Sequence, residues 1–308
     1  MTDAAPLRPR PARMLAITAA WGACFVAIRS GLRDAPTLWF AALRALLAGA
    51  VLLGVAKFQH RPRPVGVRAW AQVTVLGGCN VTIAFAAMFA GTAGMAAGIA
   101  AVLANAQPLL ILLPAWWLFG ERPNRLAAAG AAVGFVGLAI TAAPTGAPTS
   151  GAALSLLAAA AITAGTLLAR RLRHLDTVTV SAWHFIIGGA GLLVLATVRE
   201  GAPTIAWTPR FVLSLAFLAL VGTAGAFVLW FEEIQRAPLG TVAVWTFLVP
   251  VFGLAFSAVL LGEVPRGWSF ASIALVLVGL AGGLAGQPKS DNTRRGVMAS
   301  AGRNDDVV

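Results

Sequence analysis

Ten long apolar runs follow one another along the chain, near residues 14–32, 36–56, 69–90, 94–118, 124–142, 151–169, 177–198, 210–231, 238–261 and 267–286. Each is close to the roughly 20 residues that an α-helix needs to cross the hydrocarbon of a bilayer. Polar and turn-forming residues gather between the runs: Arg33-Asp34-Ala35-Pro36, Arg61-Pro62-Arg63-Pro64, Pro144-Thr145-Gly146-Ala147-Pro148 and Arg170-Arg171-Leu172-Arg173. The pattern predicts an all-α integral membrane fold of ten transmembrane helices. Residues 1–13 form a cytoplasmic N-terminal arm, and residues 287–308 a polar, disordered cytoplasmic tail.

Basic residues orient the runs. With the N-terminus in the cytoplasm, 17 Lys and Arg fall on inside segments and 5 on outside loops, while Arg44 lies within a span. That excess is the positive-inside signature. It predicts a multi-pass protein of the bacterial cytoplasmic (inner) membrane with both termini inside. Arg8, Arg10 and Arg13 precede the first run, which is as long as a span and reads as an uncleaved anchor.

Composition agrees with burial in lipid. The chain is 59% apolar and 11% charged, with mean hydropathy +0.83, against about 25% charged in soluble domains. Little is left for a soluble domain, so function must reside among the helices or in short loops. The net charge of +12 belongs to loops and tails, with no basic stripe interleaved with aromatics, so nucleic acid is excluded as a partner. Cys24 and Cys79 both lie in apolar runs and read as small buried hydrophobes rather than a disulfide.

The second half repeats the first. Shifting the sequence by 142 residues brings Gly98 onto Gly240, Pro108 onto Pro250, Gly120-Glu121 onto Gly262-Glu263, Pro123 onto Pro265 and Gly137 onto Gly279. Over 98–140 against 240–282, 15 of 43 positions are identical without a gap, where composition alone would give roughly four. Each copy, 14–142 and 151–286, contains five runs. Five is odd, so the second copy enters the membrane from the opposite side. Inverted five-helix repeats are a construction principle of secondary transporters, with substrate held near the midplane where the repeats meet.

These residues carry a resemblance. Trp21-Gly22 with Phe25-Val26-Ala27-Ile28, Leu43-Arg44, and the doubled spacing from Pro108 to Gly120-Glu121 and from Pro250 to Gly262-Glu263 resemble an EamA-type member of the drug/metabolite transporter superfamily over about residues 14–286. The counterpart of Trp21-Gly22 is Thr163-Ala164, which departs from the pattern. The resemblance implies a basket-shaped, ten-helix carrier with a central cavity, exporting amino acids, nucleosides or related metabolites.

Candidate site residues follow from polarity at depth. Pro108 and Pro250 sit mid-run; each removes a backbone donor and marks either a hinge on the substrate path or a static kink. Asn105 and Gln107 flank Pro108, whereas Phe247 and Val249 occupy the equivalent places beside Pro250. One side then offers amides and the other an apolar wall, which suits an amphipathic metabolite; helix-to-helix hydrogen bonds are the other use of those amides. Asn80 joins this substrate-binding set. Trp21 and Trp245 lie roughly 10 Å below the cytoplasmic boundary at 1.5 Å per residue, too deep for the interfacial belt, and read as cavity walls or as core.

Arg44 is the only charge deep in a span. It either meets a substrate carboxylate or ties helices to backbone carbonyls, and the resemblance, in which Arg here is typical across substrates, favours the tie. Glu121 and Glu263 close the fourth and ninth helices and are expected to cap their turns, with a gate role as the other reading. His184 is the only intramembrane group that titrates near neutral pH; it reads as packing or as a proton site. No acid maps to the membrane centre, which argues against a cationic-drug pump.

There is no His-Glu-x-x-His, Gly-x-Ser-x-Gly or phosphate-binding loop, and an enzyme is not expected. The expected partners are a small-molecule metabolite and membrane lipid, with a proton as a candidate coupling ion. No cofactor or metal is expected, and the chain is read as a monomer or dimer. The competing class is a lipid-handling or scaffold protein that transports no solute.

Overall fold

A computed structural model describes residues 8–121, 124–142, 149–263 and 268–285. The expected disordered tail, the turn at 144–148, Arg122, Pro123 and Pro265 lie outside the described residues. Among those described the chain is helical throughout: α1 (Pro11–Gly31), α2 (Thr37–Phe58), α3 (Val67–Ala93), α4 (Ala97–Ala104), α5 (Gln107–Leu110), α6 (Leu112–Phe119), α7 (Arg125–Ala142), α8 (Thr149–Arg171), α9 (Thr177–Glu200), α10 (Pro209–Arg236), α11 (Leu239–Leu261) and α12 (Trp268–Ala285). Seven of these, α1, α2, α3, α8, α9, α10 and α11, are long and apolar enough to cross a membrane. The chain is a multi-pass membrane protein.

The fourth apolar run is not one helix. It breaks at Asn105 and Ala106 into α4, then α5 and α6. Asn105 leaves helical geometry (φ −105°, ψ 30°), and its Nδ2 donates to the Ala101 carbonyl at 2.6 Å. A side chain that competes for the backbone in this way weakens the helical ladder. Pro108 then falls in the first turn of α5, where its missing N–H costs least. Pro250 is placed alike: a 3-10 turn at Trp245–Phe247 precedes it, and the α-helical part of α11 resumes at Leu248.

Helices approach closely where glycine permits. A Cβ on Gly22 would stand 2.6 Å from Phe252 Cβ and 2.8 Å from the Gly253 nitrogen, so α1 crosses α11 backbone to backbone. Gly279 of α12 meets Gly130 and Gly134 of α7 in the same manner. Small residues let such surfaces interlock without a water-driven hydrophobic force. α3 and α10 each contain a widened π-helical stretch, Gly78–Ile83 and Phe217–Gly225. The most extensive contacts pair α2 with α9, α7 with α12, α1 with α11 and α3 with α8.

The acids brace the ends of the bundle. Gly120 and Gly262 adopt left-handed geometry (φ 69° and 68°) and end α6 and α11. The glutamate after each caps a different helix: Glu121 Oε2 accepts from Leu239 N at 2.7 Å, and Glu263 Oε2 accepts from Ala97 N at 3.1 Å. The sequence alone suggests that each caps or braces its own turn. The αL glycine turns the chain away, and the carboxylate instead reaches the unsatisfied first amide of the neighbouring helix. Asp34 and Asp176 form a second such pair. Asp34 accepts from Arg210 Nη2 at 2.7 Å and Arg210 Nε at 2.8 Å, and Asp176 accepts from Arg61 Nη1 at 2.9 Å. Glu121 with Glu263, and Asp34 with Asp176, are each 142 residues apart.

Candidate functional site

A cavity opens where the first and second halves of the chain meet. A water-sized sphere reaches about 50 Å³ of it in this conformation. Four pairs of wall residues stand 142 positions apart: Cys24 with Thr166, Phe85 with Phe227, Met88 with Trp230, and Gln107 with Val249. Positions related by the 142-residue shift therefore both contribute to one wall.

Most of the polar candidates converge here. Trp21, Arg44, Asn80, Asn105 and Gln107 all line the cavity. The break between α4 and α5 brings Asn105 and Gln107 to it. Gln107 is buried, and its Nε2 donates to Thr166 Oγ1 of α8 at 2.9 Å, tying the two halves across the wall. Asn80 sits in the π-helical turn of α3 and lies over Gly165 of α8, where a Cβ would stand 2.7 Å from Asn80 Oδ1. Trp21 packs its ring against Trp230 (centroids 5.1 Å apart) and Phe227 (5.5 Å), forming one aromatic side.

Arg44 is 2% exposed and has only neutral partners among the described residues. Nε donates to Thr223 Oγ1 at 2.7 Å, and Nη2 to the Gly222 carbonyl at 3.4 Å, with Cys24 Sγ at 3.7 Å. Its guanidinium carbon lies 4.4 Å from the centre of the Phe85 ring, a cation–π contact. The tie to a carbonyl of α10 is thus present, yet Nη1 is buried and unpartnered among the described residues. Trp21 Nε1 and Asn80 Nδ2 are in the same condition.

Other candidates lie elsewhere. Trp245 is half-buried in the 3-10 turn of α11 and is not part of the wall. Phe247, expected to face the amides, instead lies beneath Gly134 of α7, leaving Val249 as the apolar counterpart of Gln107. Pro108 and Pro250 are buried behind the lining. His184 is fully buried against Phe185 (4.0 Å between centroids) and Phe231 (5.4 Å), with Nδ1 3.1 Å from the Val180 carbonyl. It does not face the cavity.

Glu121 lies outside the spans in a half-buried corner. Burial raises its carboxyl above the ordinary range, while the Leu239 amide and Arg170 pull the other way. Arg170 Nη2 is 3.5 Å from Glu121 Oε1, and Nη1 donates to the carbonyls of Ile234 and Ala237, holding the turn between α10 and α11.

Phe85, Phe227, Met88, Trp230, Cys24 and Thr166 complete the wall and are not among the sequence candidates. Carried upstream of residue 98, the shift of 142 would have paired them.

Comparison with known proteins agrees with this architecture. The model of the EamA-like transporter family matches twice, over residues 12–143 and 149–283. The chain is 31% identical to a protein of Salmonella typhimurium named "Probable amino-acid metabolite efflux pump", over 86% of this chain and 91% of that one. It is 26% identical to a chloroplastic WAT1-related protein of Arabidopsis thaliana over 84% of this chain, spanning 66% of that protein's length. A solved crystal structure of 20% sequence identity superposes with a TM-score of 0.71, covering 88% of this chain and 94% of the other, and shares the fold. Both halves of the sequence carry the family pattern, and both contribute to one cavity: the chain belongs to the EamA-like transporter family.

Proposed function

We propose that this chain is a secondary carrier that exports small metabolites, amino acids or related compounds, across the bacterial cytoplasmic membrane by alternating access between two inverted repeats. The observation that carries this reading is the cavity between the halves, walled by residues at equivalent places in each copy. In an inverted pair, one sequence can pack in two ways, and exchanging them moves the opening from one side to the other. The two reciprocal glutamate caps support the symmetry, since each copy closes a helix of the other.

A count of ten spans follows if three more stretches cross. α7 and α12 have 18 residues each, and the segmented α4–α6 covers residues 97–119. The breaks in that stretch suit a crossing that lines a cavity, where irregular backbone is tolerated. Both termini then lie in the cytoplasm, with repeats at 14–142 and 151–286. The name borne by the Salmonella relative favours outward movement of an amino-acid-like solute.

The test is efflux. Purified protein in liposomes loaded with a metabolite mixture releases one compound class saturably, and Asn105→Ala/Gln107→Ala liposomes lose that release. Release equal to protein-free liposomes, from folded protein under imposed gradients, would favour the lipid-handling or scaffold role.

A further inference from the structure

We propose that the cavity holds a carboxylate of the transported compound beside Arg44, with the unpartnered Trp21 Nε1 and Asn80 Nδ2 as further donors of the same lining, and that the carrier therefore selects organic carboxylates over neutral amides and amines. This rests on the carrier reading and deepens it.

The first ground is charge. Arg44 keeps its positive charge in any protein environment, and a charge buried away from water is costly unless paired. Every partner that Arg44 has among the described residues is neutral: Thr223, Gly222, Cys24 and the Phe85 and Phe89 rings. No Asp or Glu lines the cavity. A ligand anion is the missing counter-charge.

The second ground is the sign of the unsatisfied groups. Three buried polar atoms of the lining lack a partner, and all three are N–H donors: Trp21 Nε1, Arg44 Nη1 and Asn80 Nδ2. Arg and Trp can only donate. Buried donors are normally satisfied, so their shared deficit calls for a group rich in acceptors. A carboxylate, with two oxygens and about four lone-pair sites, fills it. An ammonium would bring more donors to a site that already has too many.

The third ground is what stands beside these donors. Phe85, Phe227 and Trp230 wall the same cavity, and give an apolar bed for the body of the ligand. Aromatic faces beside a desolvated guanidinium also strengthen its pull on an anion, because water is kept away.

The experiment uses three probes of one shape: 3-phenylpropionate, 3-phenylpropionamide and 3-phenylpropylamine. Binding is read on the full chain in detergent by thermal shift and tryptophan fluorescence, and transport in liposomes with the same probes. The expected result is that the carboxylate binds about tenfold or more tightly than the amide or amine, the loss typical of one charge-assisted hydrogen bond. R44K keeps the charge and part of the binding, while R44M abolishes the preference. If R44M fails to fold, W21F decides: it keeps the ring, removes one donor, and weakens the carboxylate by about threefold to tenfold, more than it weakens the amide, whose oxygen carries no charge. Amide or amine binding as tight as carboxylate, no carboxylate binding at all, or indifference to both R44K and W21F, overturns the proposal. Carboxylate binding without any transport keeps the subsite and sinks the carrier reading; saturable transport of amines but not carboxylates does the reverse.

Discussion

Glu121 ends one helix and begins another: its Oε2 lies 2.7 Å from the amide nitrogen of Leu239, the first residue of α11. The same bond recurs at 3.1 Å between Glu263 and Ala97, the first residue of α4. A carboxylate at a helix N-terminus satisfies a bare amide and meets the positive end of the helix dipole. Each cap therefore stabilises the start of the segment whose end carries the other glutamate.

Removing either carboxylate is expected to destabilise the fold by about 1 kcal/mol, the usual loss on replacing a cap by alanine. Thermal unfolding of purified Glu121→Ala and Glu263→Ala in detergent checks this. Glu→Gln variants keep an acceptor oxygen and should recover most of the loss. Since the caps belong to different helix starts, the double alanine variant should show the sum of the two losses.

Asp34 sets a pH dependence. Hydrogen bonds from Arg210 lead in holding its carboxyl below the ordinary range; burial opposes them, and Thr208 adds to them. The folded-state value thus lies below the unfolded value of about 3.9. Its contribution is complete above that pH and is lost as the pH falls through the folded value. Asp34→Asn should lower the melting temperature at neutral pH, and its gap from wild type should shrink as the pH is taken below about 4. A gap that stays constant down to acid pH would contradict this.

Gly22 and Gly54 make a matched pair. A Cβ on Gly22 meets Phe252 and the backbone of Gly253, whereas one on Gly54 meets nothing within 4 Å. Gly22→Ala must push α1 from α11 and is expected to cost about 1–3 kcal/mol. Gly54→Ala is expected to be neutral or stabilising by up to about 1 kcal/mol, the helix-propensity difference. Parallel melting curves of the two variants separate packing from propensity.

The Gln107–Thr166 hydrogen bond joins the two halves inside the cavity wall. A double-mutant cycle with Gln107→Ala and Thr166→Val should give a coupling of about 0.6 kcal/mol, the mean for such bonds between membrane helices. Additive losses would mean that the bond carries no net stability.

Apolar periodicity and the 142-residue repeat made the helical layout readable in advance, because lipid demands continuous apolar length and duplication leaves matched residues behind. They also brought Asn105, Gln107, Trp21, Asn80 and Arg44 forward, since a polar atom at depth is conspicuous in an apolar run. The break at Asn105 escaped because apolar length is blind to a side chain that bonds its own backbone. Trp245, read as cavity wall or core, and His184, read as packing or a proton site, both lie off the cavity wall: depth along a helix fixes how far a residue lies from the headgroups, but not which way it points. Phe85, Phe227 and Trp230 were hidden for the converse reason, as an aromatic in an apolar span stands out from its neighbours only once the facing helix is known.

The reciprocal caps also bear on how the protein is made. Ala97 leaves the ribosome 166 residues before Glu263, its acceptor. At about 5–20 residues per second of synthesis, that is a wait of about 8–30 seconds. Through that interval α4 is inserted with its first amide unclaimed by the carboxylate that later holds it. Leu239, by contrast, emerges when Glu121 is already in place. One junction closes as soon as its second partner appears, and the other stays open until the chain is nearly finished. The two caps are thus completed at different times although the two glutamates are 142 residues apart in sequence and make the same kind of bond.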